Sequence, residues 1–221
     1  MSLHSVNARV EAVHVAAIET FTLPDGESHT SAIRKRAQAA PVRVESLGFV
    51  GDEQHDPAHG GPNRAVHVFS TEHYSVFEAL AGRAIPAPVV GENLTLSGFP
   101  DEVAHVGDVV RVGTARLRVT MPTERCGYPG RNAGLPKLLK WMIEELRTGY
   151  YLSVLEPGEI GPGDAWVLEE RTNDDWTIEA LSRVMYREVG DAARVAELEA
   201  VPEIADEWKA RLRRLHERGR S

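Results

Sequence analysis

At 221 residues, with 42% hydrophobic and 26% charged side chains, the chain is long enough for one substantial globular domain, alone or with an appendage. Its formal net charge of −8 argues against nonspecific nucleic-acid binding, because neutralising phosphates requires a basic face. No apolar run approaches the length that spans a bilayer, and the N-terminus lacks a secretion pattern. We therefore expect a cytoplasmic protein without a membrane partner.

Strand patterns dominate the first 170 residues. Many short strands with few helices between them indicate a β-barrel or a sandwich rather than a doubly wound sheet. The break at Gly113-Thr114 joins two of the strands as a hairpin. Alternating or β-branched apolar runs predict strands at residues 10–18, 42–47, 65–69, 94–96, 109–112, 115–121, 151–155 and 165–168.

Two helices are expected among these strands. The first runs from Ser70 or Thr71 to about Ala81 and stops at Gly82. The second follows Pro136 and closes at Gly149. Their apolar faces are expected to carry Tyr74, Phe77 and Leu80 in the first helix, and Leu138, Leu139, Met142 and Leu146 in the second.

The pattern changes after Arg171, where strands give way to three amphipathic helical stretches on a strongly charged background. Asp191 is placed to cap the middle one. We therefore predict two domains, a β domain over residues 1–172 and a three-helix domain over residues 173–221. The apolar stripes are Ile178, Leu181 and Met185, then Val195 and Leu198, then Ile204, Trp208, Leu212 and Leu215.

Residues 51–66 form a loop rich in both turn-formers and functional side chains. His55, His59 and the neighbouring acids could ligate a metal, but Pro57 separates the histidines, and solvated loop charges are the more common case. The Gly60-Gly61 amides with Arg64 are better suited to an anion. The basic cluster 34–36, which includes Lys35, has the composition of a solvated surface patch.

Cys126 is the only cysteine of the chain. A single cysteine excludes an internal disulfide framework, a four-cysteine zinc site and an iron–sulfur cluster built from this chain alone. It lies in a loop bounded by proline and glycine, beside Arg125, and an adjacent guanidinium favours the thiolate form. A lone cysteine is often a small buried hydrophobe, but its place in a loop favours a nucleophile or metal ligand.

These loops together resemble a MOSC domain, the module of the molybdenum-cofactor sulfurase C-terminus and the amidoxime-reducing components. The resemblance covers about Ser31 to Glu169, and the helical tail is similar to that of the YiiM-type subgroup. The motifs that carry it are Gly51-Asp52, His59-Gly60-Gly61, Ala65-Val66, Gly91-Glu92-Asn93-Leu94-Thr95, Gly107-Asp108, Pro122 and Cys126.

The resemblance implies a β-barrel that binds the molybdenum cofactor (molybdopterin), with Cys126 as the thiolate that ligates molybdenum or carries its sulfur. It also implies reduction of N-hydroxylated compounds such as hydroxylaminopurines, with His59 or Glu92 as the proton source and an external electron-donor protein. A homodimer is possible. The expected cofactor-binding residues are Lys35, Gly60, Gly61, Arg64, Glu92, Asn93, Thr95 and Arg125.

The cysteine loop departs from the family pattern, which has an arginine after the first proline and a second proline before the cysteine. Here Thr123 follows Pro122, and Arg125 precedes Cys126, so which arginine faces the cofactor stays open. Two further readings also remain: a non-catalytic cofactor or sulfur carrier that uses a Cys126 persulfide, and a binding module independent of the thiol.

Overall fold

The structure is a computed structural model that describes residues 7–124 and 126–219. Thirteen strands lie within these residues, and most are short. They are β1 (Ala8–Val15), β2 (Glu19–Thr22), β3 (Ser28–Ser31), β4 (Arg36–Gln38), β5 (Val42–Glu45), β6 (Gly48–Phe49), β7 (Val66–Ser70), β8 (Leu94–Ser97), β9 (Val109–Val112), β10 (Ala115–Pro122), β11 (Tyr150–Glu156), β12 (Gly158–Ile160) and β13 (Ala165–Glu170).

Seven of these strands close into a mixed β-barrel, in the order β13-β9-β10-β11-β7-β8-β1. Pairing of Ala8 with Trp166 joins β1 back to β13 and completes the ring. Only the β7–β8 pair within the ring is parallel; the other ring pairs are antiparallel. The mainly β fold and the barrel are therefore confirmed.

Alternating side chains fill the barrel, as expected for strands with one face buried. Along β10, Leu117 and Val119 are completely buried in the core while Arg118 is exposed. Thr120 is on the same face of the strand as Arg118, but it is buried, and its hydroxyl bonds the carbonyl oxygens of Asn63 and Tyr151.

The helices within and after the barrel are α1 (Thr71–Ala81), α2 (Tyr128–Asn132), α3 (Leu138–Glu144), α4 (Ile178–Arg187), α5 (Ala192–Glu199) and α6 (Asp206–Gly219). Gly82 ends α1 in the left-handed conformation, and its amide bonds the carbonyl of Glu78, as a C-terminal glycine does. Leu80 is 46% exposed, so its expected place on the buried face of α1 was wrong.

Two segments differ from the sequence prediction. Residues 19–31, for which no strand was predicted, form a β-hairpin of β2 and β3 with Pro24-Asp25-Gly26 in its turn. Only 9% of the Lys35 side chain is exposed, and it pairs with Asp52, so the solvated-patch reading of this lysine was wrong.

The C-terminal helices pack onto the barrel through a shared apolar cluster. Asp191 caps α5 by accepting bonds from two backbone amides, as predicted. The amide of Ile178 donates to the carbonyl of Ala104 on the barrel, at 2.8 Å. The cluster combines Leu181, Val184, Met185, Val195, Leu198, Ile204, Trp208 and Leu212 of the helical region with Val106, Met121 and Tyr151 of the barrel.

No helix within residues 7–124 and 126–219 combines the length and the apolar character that crossing a membrane requires.

Candidate functional site

One end of the barrel opens into a cavity of about 680 Å³. Most of its walls come from four parts of the chain: the segment 28–35, the loop 47–65, the turn 90–93 and the loop 123–129. His67 and Tyr151 on the barrel strands complete them. The loop ahead of β7 and the loop after β10 thus meet at one site, although some sixty residues separate them. Volumes of about 300–1,000 Å³ are typical of small-molecule and cofactor sites.

A buried lysine forms part of the cavity wall. The Lys35 ammonium donates to both carboxylate oxygens of Asp52, whose Oδ2 also accepts a 2.8 Å bond from the Asn93 side-chain amide. Burial lowers the pKa of Lys35, while the carboxylates of Asp52 and Glu92 oppose that shift. The site therefore holds a cation at a fixed position, with its counter-charge built into the protein.

Asn93 fixes this ion pair to the barrel. Its Oδ1 accepts a bond from the His67 amide at 3.1 Å, and its Nδ2 donates to the carbonyl of His14 as well as to Asp52. Because the amide group is committed on both sides, Asn93 orients Asp52 and acts on Lys35 through it. Asn93 also lines the cavity.

The thiol of Cys126 is exposed at the cavity wall, just ahead of α2. A cysteine held in a packed core would be inert, whereas this sulfur is accessible to ligands and reagents. It shares the cavity with Lys35, Arg64 and His59. The structure therefore brings together four of the residues that the sequence singled out.

Arg64 enters the cavity from a 3₁₀ turn over Pro62–Arg64. Its guanidinium carbon lies 5.7 Å above the ring of Tyr151, and its Nη2 lies 4.0 Å from a carboxylate oxygen of Glu124. The cation–aromatic contact and the partial burial of the side chain, 16% exposed, hold a permanently charged group at the wall.

Imidazoles line much of the rest of the wall. His59 is exposed and sits in a 3₁₀ turn over Pro57–His59. His29, on the β2–β3 hairpin, stacks on Tyr128 with ring centroids 4.0 Å apart. Burial lowers the pKa of His29, and the charges of Arg131 and His55 lower it further. The neutral form of His29 is therefore favoured, and its ring presents an aromatic surface beside the thiol loop.

Two predicted cofactor residues lie beneath the cavity instead of in its wall. Glu92 is fully buried and accepts bonds from the Tyr74 hydroxyl and, at 3.2 Å, from the Thr95 hydroxyl. Thr95 is buried as well and lies 3.0 Å from Nε2 of His14. Neither residue is among those of the described chain that line the cavity. Both support the wall from behind.

The two glycines also lie outside the lining formed by the described residues. The Gly60 amide donates to the carbonyl of Pro57 at 3.2 Å, and a Cβ at Gly60 would lie 2.4 Å from Nε2 of Gln54. A side chain at this position would therefore have to displace the flexible Gln54 side chain. Gly61 has φ of +110°, which an L side chain rarely adopts. Arg125, the remaining predicted contact, lies outside the described residues.

The alternative of a metal held by the loop histidines and acids finds no support in the described part of the chain, where no group of three potential ligands converges. Two of the acids have backbone partners. Asp52 accepts from the Ala16 amide at 2.9 Å and Glu53 from the Ile18 amide at 2.7 Å. They tie this loop to the end of β1.

Sequence reasoning missed the aromatic wall. His29 and Tyr128 lie about a hundred residues apart, in a stretch read as polar and in a helix too short to show a periodic pattern. The one available signal was the turn at Pro24-Asp25-Gly26, which marks a hairpin able to fold over the barrel mouth.

The barrel with its thiol-bearing cavity indicates the protein family to which the chain belongs. Residues 55–167 match the family model described as the MOSC domain, and the chain belongs to the MOSC family. MOSC domains are associated, as a class, with binding of the molybdenum cofactor.

Within this family the chain is of the YiiM type. Protein YiiM of Escherichia coli is 29% identical over 192 residues, which cover 83% of this chain and 77% of that protein. The crystal structure of YiiM from Geobacillus stearothermophilus matches with a TM-score of 0.80 at 26% identity, covering 95% and 99% of the two chains.

One relative, which is much longer than this chain, is named after an enzymatic activity. A protein of Gibberella moniliformis named reductase is 33% identical over 167 residues. The match covers 72% of this chain but only 29% of that protein, so the chain spans less than a third of it.

Proposed function

We propose that this chain is a molybdenum-cofactor-binding reductase of N-hydroxylated compounds such as hydroxylaminopurines, with Cys126 as a ligand to molybdenum. The observation that carries the proposal is the shared cavity, which places an exposed thiol with Lys35, Arg64 and His59 at the open end of the barrel. The family supports cofactor binding, and the relative named reductase supports an oxidoreductase activity.

The donor set fits the cofactor. Molybdenum prefers soft sulfur ligands, and one accessible thiolate could complete a site whose other sulfurs belong to the pterin. Lys35 and Arg64 would bind its phosphate, since charge-assisted bonds to phosphate are the strong ones. Arg64 would contribute most of the positive charge, because Glu124 is bonded to Arg211, whereas Lys35 already shares its charge with Asp52 and would add an N–H donor.

When bound, the cofactor would supply two electrons to the N–O bond, having received them from an external electron-donor protein. Overall, the N-hydroxylated compound, two protons and two electrons give the amine and water. His59 would deliver a proton, because its imidazole is exposed on the cavity wall and an imidazole can serve as a general acid. Glu92, being buried and bonded to Tyr74 and Thr95, would serve to position the wall.

The test begins with molybdenum content. Protein purified from a host that makes the cofactor should contain the metal, and Cys126→Ser should lose it. Arg64→Gln should weaken retention about 10- to 100-fold, because it removes a bond between charged groups worth roughly 1.5–3 kcal/mol. Arg43→Gln is the matched control, since this arginine forms an exposed pair with Glu45 on β5. Wild-type protein without molybdenum would refute cofactor binding.

Activity is tested separately, with a hydroxylaminopurine and a chemical electron donor. The molybdenum-loaded wild type should form the amine, and His59→Gln should keep its metal but lose turnover. The exposed thiol also suits a sulfur carrier. Absence of turnover with every donor, together with a Cys126 persulfide detected by mass spectrometry, would favour that alternative over the reductase.

A further inference from the structure

Helix α6 reaches the cavity wall through a single carboxylate. Glu124, two residues before Cys126, places one oxygen 3.0 Å from Nε of Arg211 on α6 and the other 4.0 Å from Nη2 of Arg64. The carboxylate thus stands between a cation of the cavity and a cation of the C-terminal helices, and it lies nearer to the latter.

Further contacts hold α6 against the turn that carries Arg64. The Asn63 side-chain amide donates to Glu207 of α6 at 3.2 Å. The Asn63 carbonyl accepts from the Thr120 hydroxyl at 2.7 Å, and the Thr120 carbonyl accepts from the Ala205 amide just ahead of α6. Turn, strand β10 and helix are therefore linked at one place, and the separation of Glu124 from Arg64 is determined by this junction.

We propose that Arg211 is a positioning residue that draws Glu124 away from Arg64 and so sets how much positive charge Arg64 offers to an anionic group in the cavity. The inference deepens the proposed function, because the anion at issue is the phosphate of the cofactor. It gives the C-terminal helices a role in the site itself.

The physical reason is competition for one carboxylate. An ion pair at 3.0 Å with a hydrogen bond is stronger than one at 4.0 Å without it. Without Arg211, the Glu124 side chain would rotate toward Arg64 and neutralise it. Without Glu124, Arg211 would have no route to Arg64. The action of Arg211 therefore depends on Glu124 being present.

The reactivity of Cys126 measures this charge without any cofactor. Iodoacetate and iodoacetamide alkylate the same thiol by the same reaction, but only the first is an anion. The rate constant with iodoacetate divided by the rate constant with iodoacetamide, here called the alkylation ratio, reports the electrostatic potential at the cavity wall. Arg211→Gln should lower that ratio about two- to fivefold, the range that partly exposed ion pairs span. Glu124→Gln should raise it.

The double variant separates positioning from simple charge addition. If Arg211 acts through Glu124, Glu124→Gln/Arg211→Gln should give the ratio of Glu124→Gln alone. If the two charges merely add, the ratio should return toward the wild-type value, which would overturn the proposal. Arg213→Gln is the control, because Arg213 lies on the same helix but pairs with Glu199 of α5 at 3.1 Å, and it should leave the ratio unchanged.

A purely structural role would give a different result. Arg211→Gln would then lower the midpoint of thermal unfolding and leave the ratio unchanged, and that outcome also overturns the inference. Pyrophosphate titration supplies a second readout, in which Arg211→Gln should weaken binding two- to fivefold. A protein that shows the expected ratios but never retains molybdenum would refute the proposed function while leaving the role of Arg211 intact.

Discussion

Nε2 of His14 lies 3.0 Å from the hydroxyl oxygen of Thr95, with both side chains buried behind the cavity. The Thr95 hydroxyl also donates to the buried carboxylate of Glu92. His14 therefore belongs to a buried polar chain that supports the turn carrying Asn93. This group of hydrogen-bonded side chains is sensitive to acid, because protonation of His14 would place a positive charge where water has little access.

Acid should destabilise the protein through His14. Burial first, and the charge of Lys35 second, lower the pKa of His14 from 6.5 to about 4. The unfolded chain binds the proton more readily than the folded one, so this contribution is complete above pH 6.5 and is lost as pH falls toward 4. Between pH 7 and pH 4, the free energy of unfolding should fall by about 2–3 kcal/mol more in the wild type than in His14→Gln.

Urea unfolding at several pH values checks this prediction. The exposed histidine His55 provides the control, and His55→Gln should keep the wild-type acid dependence. A His14→Gln protein with an unchanged dependence between pH 6.5 and 4 would show that His14 is not the group responsible.

The ion pair of Lys35 and Asp52 should behave as a buried pair. Asp52→Asn leaves an ammonium that is 9% exposed without its carboxylate, so we expect a loss of about 3–5 kcal/mol in the free energy of unfolding. Lys35→Met/Asp52→Asn should recover most of that loss, because the uncompensated charge is removed as well.

Chemical denaturation of the single and double variants measures the free energy of interaction between Lys35 and Asp52. The exposed pair Arg43 and Glu45 is the matched comparison, and Glu45→Gln should cost less than about 1 kcal/mol. An Asp52→Asn cost as small as that of Glu45→Gln would contradict the buried pair. It would also be contradicted if Lys35→Met/Asp52→Asn were no more stable than Asp52→Asn.

How far the sequence predicted this molecule depends on the range of the contacts involved. Helix α1 and its stop at Gly82 follow from local chemistry, and so does the hairpin at Gly113, whose φ is +55°. The buried state of Lys35 could not be predicted that way. Its partner Asp52 lies on another loop, and the two meet only because barrel closure brings both loops to one end.

The candidate site shows the same limit. Polar residues in breaker-rich loops were correctly read as candidates, and Cys126, His59, Arg64 and Lys35 share the cavity wall. Residue type alone could not distinguish a side chain in the wall from one behind it. Thr95 and its neighbour Glu92 are as polar as the wall residues, but they are bonded beneath it.

Accessibility of Cys126 gives a third prediction. The thiol is exposed, so neutral iodoacetamide should alkylate the folded protein within about tenfold of the rate for the urea-unfolded chain. Bound cofactor should protect the sulfur, and stripping the molybdenum should restore the reaction. Mass spectrometry of timed samples gives both rates. A folded-state rate a hundredfold slower would mean that the sulfur is not accessible from the cavity.

Trp208 tests whether the helical region and the barrel unfold together. Its side chain is completely buried in the cluster that joins the C-terminal helices to Met121 and Tyr151 of the barrel. Trp208→Ala should cost about 3–5 kcal/mol, because it opens a large cavity in that cluster. Leu80→Ala, at a side chain 46% exposed, should change stability by less than about 0.5 kcal/mol.

The unfolding midpoints of the two regions show whether they unfold as one unit. Since the cluster is shared, far-ultraviolet circular dichroism for the helices and hydrogen exchange of the strand amides for the barrel should report one common unfolding midpoint, and Trp208→Ala should shift both together. If the helical signal melts first while the barrel midpoint stays at the wild-type value, the helices form an independent unit. Arg211 could then be tested in a barrel whose tail has already unfolded, and its effect on the alkylation ratio should disappear there.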